Sequence, residues 1–167
     1  LWGIHSIQNI LKQDRKNITL LAMSGAFIFV ISSLKIPSVT GSCSHMTGTA
    51  LGAILFGFAP ISVLGMIVLL FQAILLAHGG LTTLGANIFS MAIAGPFLSY
   101  ILFQFCKKCN INKKMSIFIA AFLGDLFTYC ITSIQLAFAY PSMLGGISAS
   151  IIKFLGVFAP TQLPLAI

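Results

Sequence analysis

The sequence predicts an all-α membrane protein, a polytopic bundle of about six to seven transmembrane helices, on three observations. The first is composition. Of the 167 residues, 58% are hydrophobic and 7% charged, and the mean hydropathy is +1.06. Water-soluble domains carry roughly 25% charged residues, so this chain lacks the polar groups to cover a hydrated surface. The second is pattern: the apolar residues fall into several long runs without alternation, whereas a transmembrane β-barrel alternates in segments of about ten. The third is the placing of charge. The formal net charge of +7 is gathered at Lys12, Arg15 and Lys16 and again at Lys107, Lys108, Lys113 and Lys114. Nucleic-acid binding calls for a basic face, whereas paired clusters at loop positions read as the cytoplasmic side of a membrane protein. Nucleic acid is therefore excluded as a partner, and the lipid bilayer is the expected surrounding.

Taken in order, residues 1–11 end a helix, and residues 12–17 form a basic loop placed inside. Residues 18–34, ITLLAMSGAFIFVISSL, are 17 long, at the lower limit of about 17–25 for a spanning helix. Residues 35–47 form an outer loop, where Pro37 and Gly41 break the apolar pattern. Residues 48–58 return as a segment too short to cross about 30 Å of hydrocarbon at about 1.5 Å per residue. An inner turn at 57–60 leads to an outward helix over 61–77, and HGGLTTL at 78–84 is the second outer loop. Residues 85–105 come back to the inner basic loop 106–114. Residues 115–139 cross outward, 140–146 turn, and 147–167 return with a break expected near Pro160 and Pro164. The whole reads as one integral membrane domain, residues 1–167, incomplete at both ends, since the first residue is Leu and the last lies in an apolar run. Counting crossings puts both basic clusters on one side, with seven of the nine basic residues inside and Lys35 and Lys153 left over. The same count puts His45 and His78 on the outer face, although the charge argument made no use of histidine.

The polar stretch GSCSHMTGTALG at positions 41–52 stands out in this apolar chain. Non-helical backbone at membrane depth is tolerated only when buried in protein or lining a cavity, so the short segment that follows carries His45 toward the bundle interior. The imidazole suits Co, Ni, Cu or Zn, and the hydroxyls of Ser42, Ser44, Thr47 and Thr49 could orient the ring through its second nitrogen. A hydrogen-bonded loop histidine explains the same residues. His78, before Gly79 and Gly80, is either a helix-end cap or a secondary ligand. Asp125, in LGDLFTY, is the one acid inside a predicted span, and intramembrane carboxyls normally face a partner or a cavity. It could bond Thr128 and Tyr129 one turn on, sit near a cation, or relay protons. Gln72, Asn87, Gln135 and Gln162 are expected to make interhelical hydrogen bonds. Cys106 and Cys109 form a lone CxxC, weak as a zinc signal and read as free thiols. There is no P-loop, HExxH or GxSxG, so the chain is not expected to be an enzyme.

The blocks LKIPSVTGSCSHMTGTALGAILFG (34–57), LLFQAILLAHGGLTTLGANIFSMAIAGP (69–96) and TQLPLAI (161–167) resemble the CbiM/NikM family, and the likeness runs along essentially the whole chain. The resemblance implies a seven-helix bundle that acts as the substrate-binding S component of an energy-coupling factor importer for cobalt or nickel. It implies partners as well: a membrane coupling (T) subunit, cytoplasmic ATPase subunits and a small accessory membrane subunit. The transported substrate is then Co(II), for cobalamin biosynthesis, or Ni(II), with no organic cofactor. The family's site uses a Met-His start absent from this sequence, together with a histidine that matches His45; the histidine of HGGLT matches His78 as a secondary position. Met46 stands where many relatives have proline. The resemblance also implies the inner or plasma membrane, with the lysine clusters cytoplasmic and both histidines outside. Two readings of another class remain beside it: an intramembrane enzyme built on Asp125 or the histidines, and a proton-coupled carrier with Asp125 as relay.

Overall fold

A computed structural model describes residues 2–13, 16–34, 36–37, 43–44, 46–76, 80–143 and 145–166. Lipid offers no partner to backbone N–H and C=O groups, so an apolar chain must satisfy them within each segment, and helices do so. The elements are α1 (Trp2–Gln13), α2 (Lys16–Ser33), β1 (Ile36–Pro37), β2 (Cys43–Ser44), α3 (Thr49–Phe56), α4 (Phe58–Leu75) and α5 (Leu84–Asn87). A π-helical segment, Ile88–Ala94, then runs into α6 (Gly95–Lys108), followed by α7 (Lys113–Ala139) and α8 (Gly146–Ala166). Five helical runs are long and apolar enough to cross a membrane, with Leu84–Lys108 counted as one. The shorter α1 and α3 bring the helical runs among the described residues to the seven expected of the bundle. The one sheet feature there is a two-residue antiparallel pair, in which Ile36 meets Ser44 and Pro37 meets Cys43.

Packing inverts the pattern of a water-soluble protein. Ala53, Ser90, Ala92, Ser99, Ala120, Ser133 and Ala137 are wholly buried. Leu55, Leu75 and Ile152 lie at 65%, 67% and 72% exposure. In lipid there is no hydrophobic gain from burying a leucine between helices, so small residues take the contacts and large ones face the acyl chains. Leu21, Ile28, Ile61 and Val68 form a conventional apolar cluster where α2 meets α4. Polar stitching reinforces the seams: Gln72 on α4 donates to the Ser32 hydroxyl and to the Phe29 carbonyl of α2. Gln135 on α7 donates to the Ala86 carbonyl of α5 at 3.3 Å. Such bonds average about 0.6 kcal/mol each in membrane bundles.

Three expectations change. The turn expected over residues 57–60 is a break at Gly57 alone, whose φ of 87° and ψ of 161° suit glycine. Pro60 falls in the first turn of α4, where a missing N–H costs no intrahelical bond. Second, α8 runs unbroken through Pro160 and Pro164. Third, Asn87 bonds through its main chain, its N–H to the Thr83 carbonyl and its C=O to the Ser90 hydroxyl, inside its own helical run.

Candidate functional site

The short helix α3 sits in the middle of the bundle and packs against α2, α4, α6 and α7. Its eight residues rise only about 12 Å, so it starts and ends within the thickness of the protein. A helix end at that depth leaves N–H groups that need partners. Gly48, in the left-handed conformation at φ 64°, turns the chain into the helix. On either side of it, Thr47 and Thr49 are buried at 7% and 4% exposure.

Each threonine is tied to a different wall. The Asp125 carboxyl of α7 lies within reach of the Thr47 N–H and hydroxyl. This places an acidic group at the positive end of the α3 dipole, where it is stabilising. Its Oδ2 is buried and has no hydrogen-bond partner. On the opposite wall, Thr49 Oγ1 donates to the Met91 carbonyl at 3.0 Å. That carbonyl is free for a local reason. The π segment directs the Gly95 N–H to the Ser90 carbonyl, five residues back, and the next residue, Pro96, has no N–H to offer Met91. A hydroxyl from another helix therefore satisfies it. A small cavity between α2, α4 and the π segment opens beside this point, lined by Ile28, Ser32, Thr47, Thr49, Gly65, Val68, Leu69 and Met91.

Thr49→Val keeps the shape of the side chain and strands the Met91 carbonyl. It is expected to cost about 1–3 kcal/mol, while Thr49→Ser stays close to the parent. Thermal unfolding in detergent checks both, and equal midpoints for the valine and serine variants refute the reading.

Of the residues singled out in the sequence, Thr47, Thr49 and Asp125 come together here. Ser44 belongs to β2, which lies beside α8, while Gln72 serves the α2–α4 seam. His45, His78 and Ser42 lie outside the described residues. The expected bonds from Asp125 to Thr128 and Tyr129 are replaced: Thr128 donates to the Gly124 carbonyl at 3.0 Å, and the Tyr129 hydroxyl to the Leu155 carbonyl of α8. Both hydroxyls find nearer backbone acceptors, leaving the carboxyl for Thr47. Cys106 is buried and Cys109 exposed, both as free thiols. The Met91 carbonyl was missed, although the spacing of Pro96 five residues after it was a readable sign.

The family model described as "Cobalt uptake substrate-specific transmembrane region", CbiM, matches residues 1–167. The chain belongs to the CbiM cobalt uptake family. It is a multi-pass membrane protein by that match and by the five helices among the described residues that are long and apolar enough to cross a membrane. It is 69% identical over 165 residues to the cobalt transport protein CbiM of Lachnoclostridium phytofermentans, covering 99% of this chain and 66% of that protein. It is 62% identical over 167 residues to the CbiM of Clostridioides difficile, covering all of this chain and 67% of that one. The chain therefore spans about two thirds of the length of these relatives. Among solved structures, a crystal structure of a truncated transition metal transporter superposes with a TM-score of 0.80 at 26% identity, covering 98% of this CbiM-family chain and 80% of that one.

Proposed function

We propose that this CbiM-family chain forms the substrate-capture part of a Co(II) importer, taking the ion from outside and depending on a separate ATPase for energy. The observation that carries the reading is the two-walled anchoring of Thr47 and Thr49 inside the bundle. It makes residues 47–49 part of a fixed interior. His45, two residues before Thr47, supplies a nitrogen ligand, and His78 assists. The hydroxyls of Ser42 and Ser44 orient the ligand, a kind of support that metal sites commonly need. Imidazole nitrogen suits Co(II) and Ni(II), and by affinity order alone would favour Cu(II), so geometry selects the ion. The relatives named for cobalt transport favour Co(II) as the substrate here.

The lysine clusters at 12–16 and 107–114 face the cytoplasm, where a membrane coupling subunit and ATPase subunits engage the bundle, and the histidines face outward. The absence of a P-loop in the sequence agrees with energy supplied by a partner.

Calorimetric titration of Co(II) into the detergent-purified full-length protein is expected to give one-to-one binding, with Ni(II) titrated in parallel. Tighter binding of Ni(II) overturns the choice of ion, and binding of neither overturns metal capture.

A further inference from the structure

Four of the nine basic residues stand on one short turn. Lys107 and Lys108 end α6, and Lys113 and Lys114 begin α7, with residues 109–112 between them. The chain has two acidic residues, Asp14 and Asp125. Asp125 lies about 18 Å along α7 from Lys113, at about 1.5 Å per residue. Asp14 alone is left, and one carboxylate cannot neutralise four ammonium groups. The remaining counter-charge comes from outside residues 1–167.

The turn holds those charges in set positions. The Ile111 N–H donates to the Cys106 carbonyl at 3.1 Å, and the Asn110 N–H to the Lys107 carbonyl at 3.2 Å. Asn110 is left-handed at φ 54°, and the two bonds together close α6 in a manner common at helix ends. Asn112 caps α7, its Oδ1 accepting from the Lys114 N–H at 3.1 Å. The buried Ser116 hydroxyl donates to the Asn112 and Ile111 carbonyls at 3.1 and 3.3 Å. The backbone of the turn is thus fixed by its own residues, while all four lysines are exposed. Its depth follows from the spans on either side. Lys108 is the last residue of one run able to cross a membrane, and Lys113 is the first of the next. The ammonium groups therefore lie at the hydrocarbon boundary, with no long loop to carry them into solution. Phe105, Ile111, Met115 and Phe118 are exposed around them, and Ile111 stands between the two lysine pairs. At a bilayer surface these side chains meet lipid, while the lysine stems run outward to the phosphates.

We propose that the α6–α7 turn is a docking surface for anionic phospholipid headgroups, with Lys107, Lys108, Lys113 and Lys114 as the cations that meet the phosphate. Clusters of four or more basic residues directly beyond a membrane span attract anionic lipid, at about fivefold per residue. A phosphate held there meets ammonium groups from both helices, so the lipid ties the end of α6 to the start of α7 and sets the depth of that hairpin. The inference needs only that the chain spans a bilayer, and it is independent of the choice of transported ion.

The test uses full-length protein in micelles carrying equal amounts of phosphatidylglycerol and phosphatidylcholine, with the retained lipids counted by native mass spectrometry. The parent is expected to prefer phosphatidylglycerol by at least about tenfold, and the preference should weaken as salt is raised. Replacing either lysine pair with Gln removes most of it, and replacing all four brings the two lipids to parity. The variant with Arg at all four positions keeps the preference, because charge carries it. Lys153→Gln, at an exposed lysine on α8, leaves it unchanged. Phosphatidylglycerol should also raise the thermal midpoint of the parent and not that of the four-Gln variant. Equal retention of the two lipids by the parent overturns the proposal, and so does an undiminished preference in the four-Gln variant. Displacement of the lipid by an equal concentration of glycerol phosphate overturns it too, since the site would then take an anion from solution. A four-Gln variant that keeps its lipids but no longer binds its ATPase or coupling subunits would assign the surface to a protein partner instead. If the Gln variants do not fold, the parent's salt dependence and the glycerol phosphate competition decide.

Discussion

His45→Ala in the full-length protein is expected to abolish tight Co(II) binding, a loss of more than about 100-fold. Removing a group that merely supports a ligand commonly costs about 10–100-fold, and a ligand nitrogen lies one step closer to the ion. Alanine supplies no donor, and the thioether of the adjacent Met46 is soft, suited to Cu(I) rather than Co(II). The substitution should spare the fold. In the chain His45 comes between β2 and α3, and thermal unfolding little changed from the parent's checks that the variant folds. His78→Ala, between α4 and α5, is expected to weaken binding by about tenfold, as a supporting position would. Calorimetry on the three proteins separates these readings. Equal affinity for the parent and His45→Ala returns this histidine to an ordinary loop residue, whatever His78 does.

The sequence made the bundle legible because lipid removes most alternatives. An apolar run bounded by charges, such as the one between Lys16 and Lys35, has only the helix open to it, and α2 occupies Lys16–Ser33. The short run after His45 was legible by arithmetic as too short to cross, and α3 is a half-helix. What could not be read was whatever depends on which helix faces which. Asp125 and Thr47 are far apart in the chain, and their pairing follows from the placement of α3 against α7. A local reading assigned Asp125 to Thr128 and Tyr129, since residues one turn apart share a helix face. It failed because backbone carbonyls compete for those hydroxyls. The prolines misled in a similar way. Pro160 and Pro164 signal a break in water, but in a membrane helix the freed carbonyls can be served by neighbours and hydroxyls, and α8 continues.

Gly124→Leu is expected to destroy the folded bundle, and the same position with alanine should already be costly. Gly124 and Gly95 mark the crossing of α6 and α7. A Cβ at Gly95 would fall on the Thr128 hydroxyl, and one at Gly124 on the Ser99 hydroxyl. Ser99 and Thr128 are themselves buried, at 0% and 5% exposure, so neither hydroxyl has solvent-filled space to move into. Alanine at 124 therefore forces the Ser99 hydroxyl to rotate away and still meets the Ser99 Cβ at 3.1 Å, at about 1–3 kcal/mol of overpacking. The gain in helix propensity from replacing glycine, about 0.5–1 kcal/mol, offsets only part of that. Leucine adds three more carbons to the same filled volume, beyond what a shift of side chains can absorb, and upward of about 3 kcal/mol is expected. Gly156 on α8 provides the contrast, because a Cβ there meets nothing within 4 Å. Gly156→Ala should thus be neutral or stabilising by up to about 1 kcal/mol. Thermal unfolding in detergent should therefore show alanine with opposite signs at two helical glycines of one chain. A Gly124→Leu protein with the parent's midpoint would mean that α6 and α7 do not cross where these contacts put them.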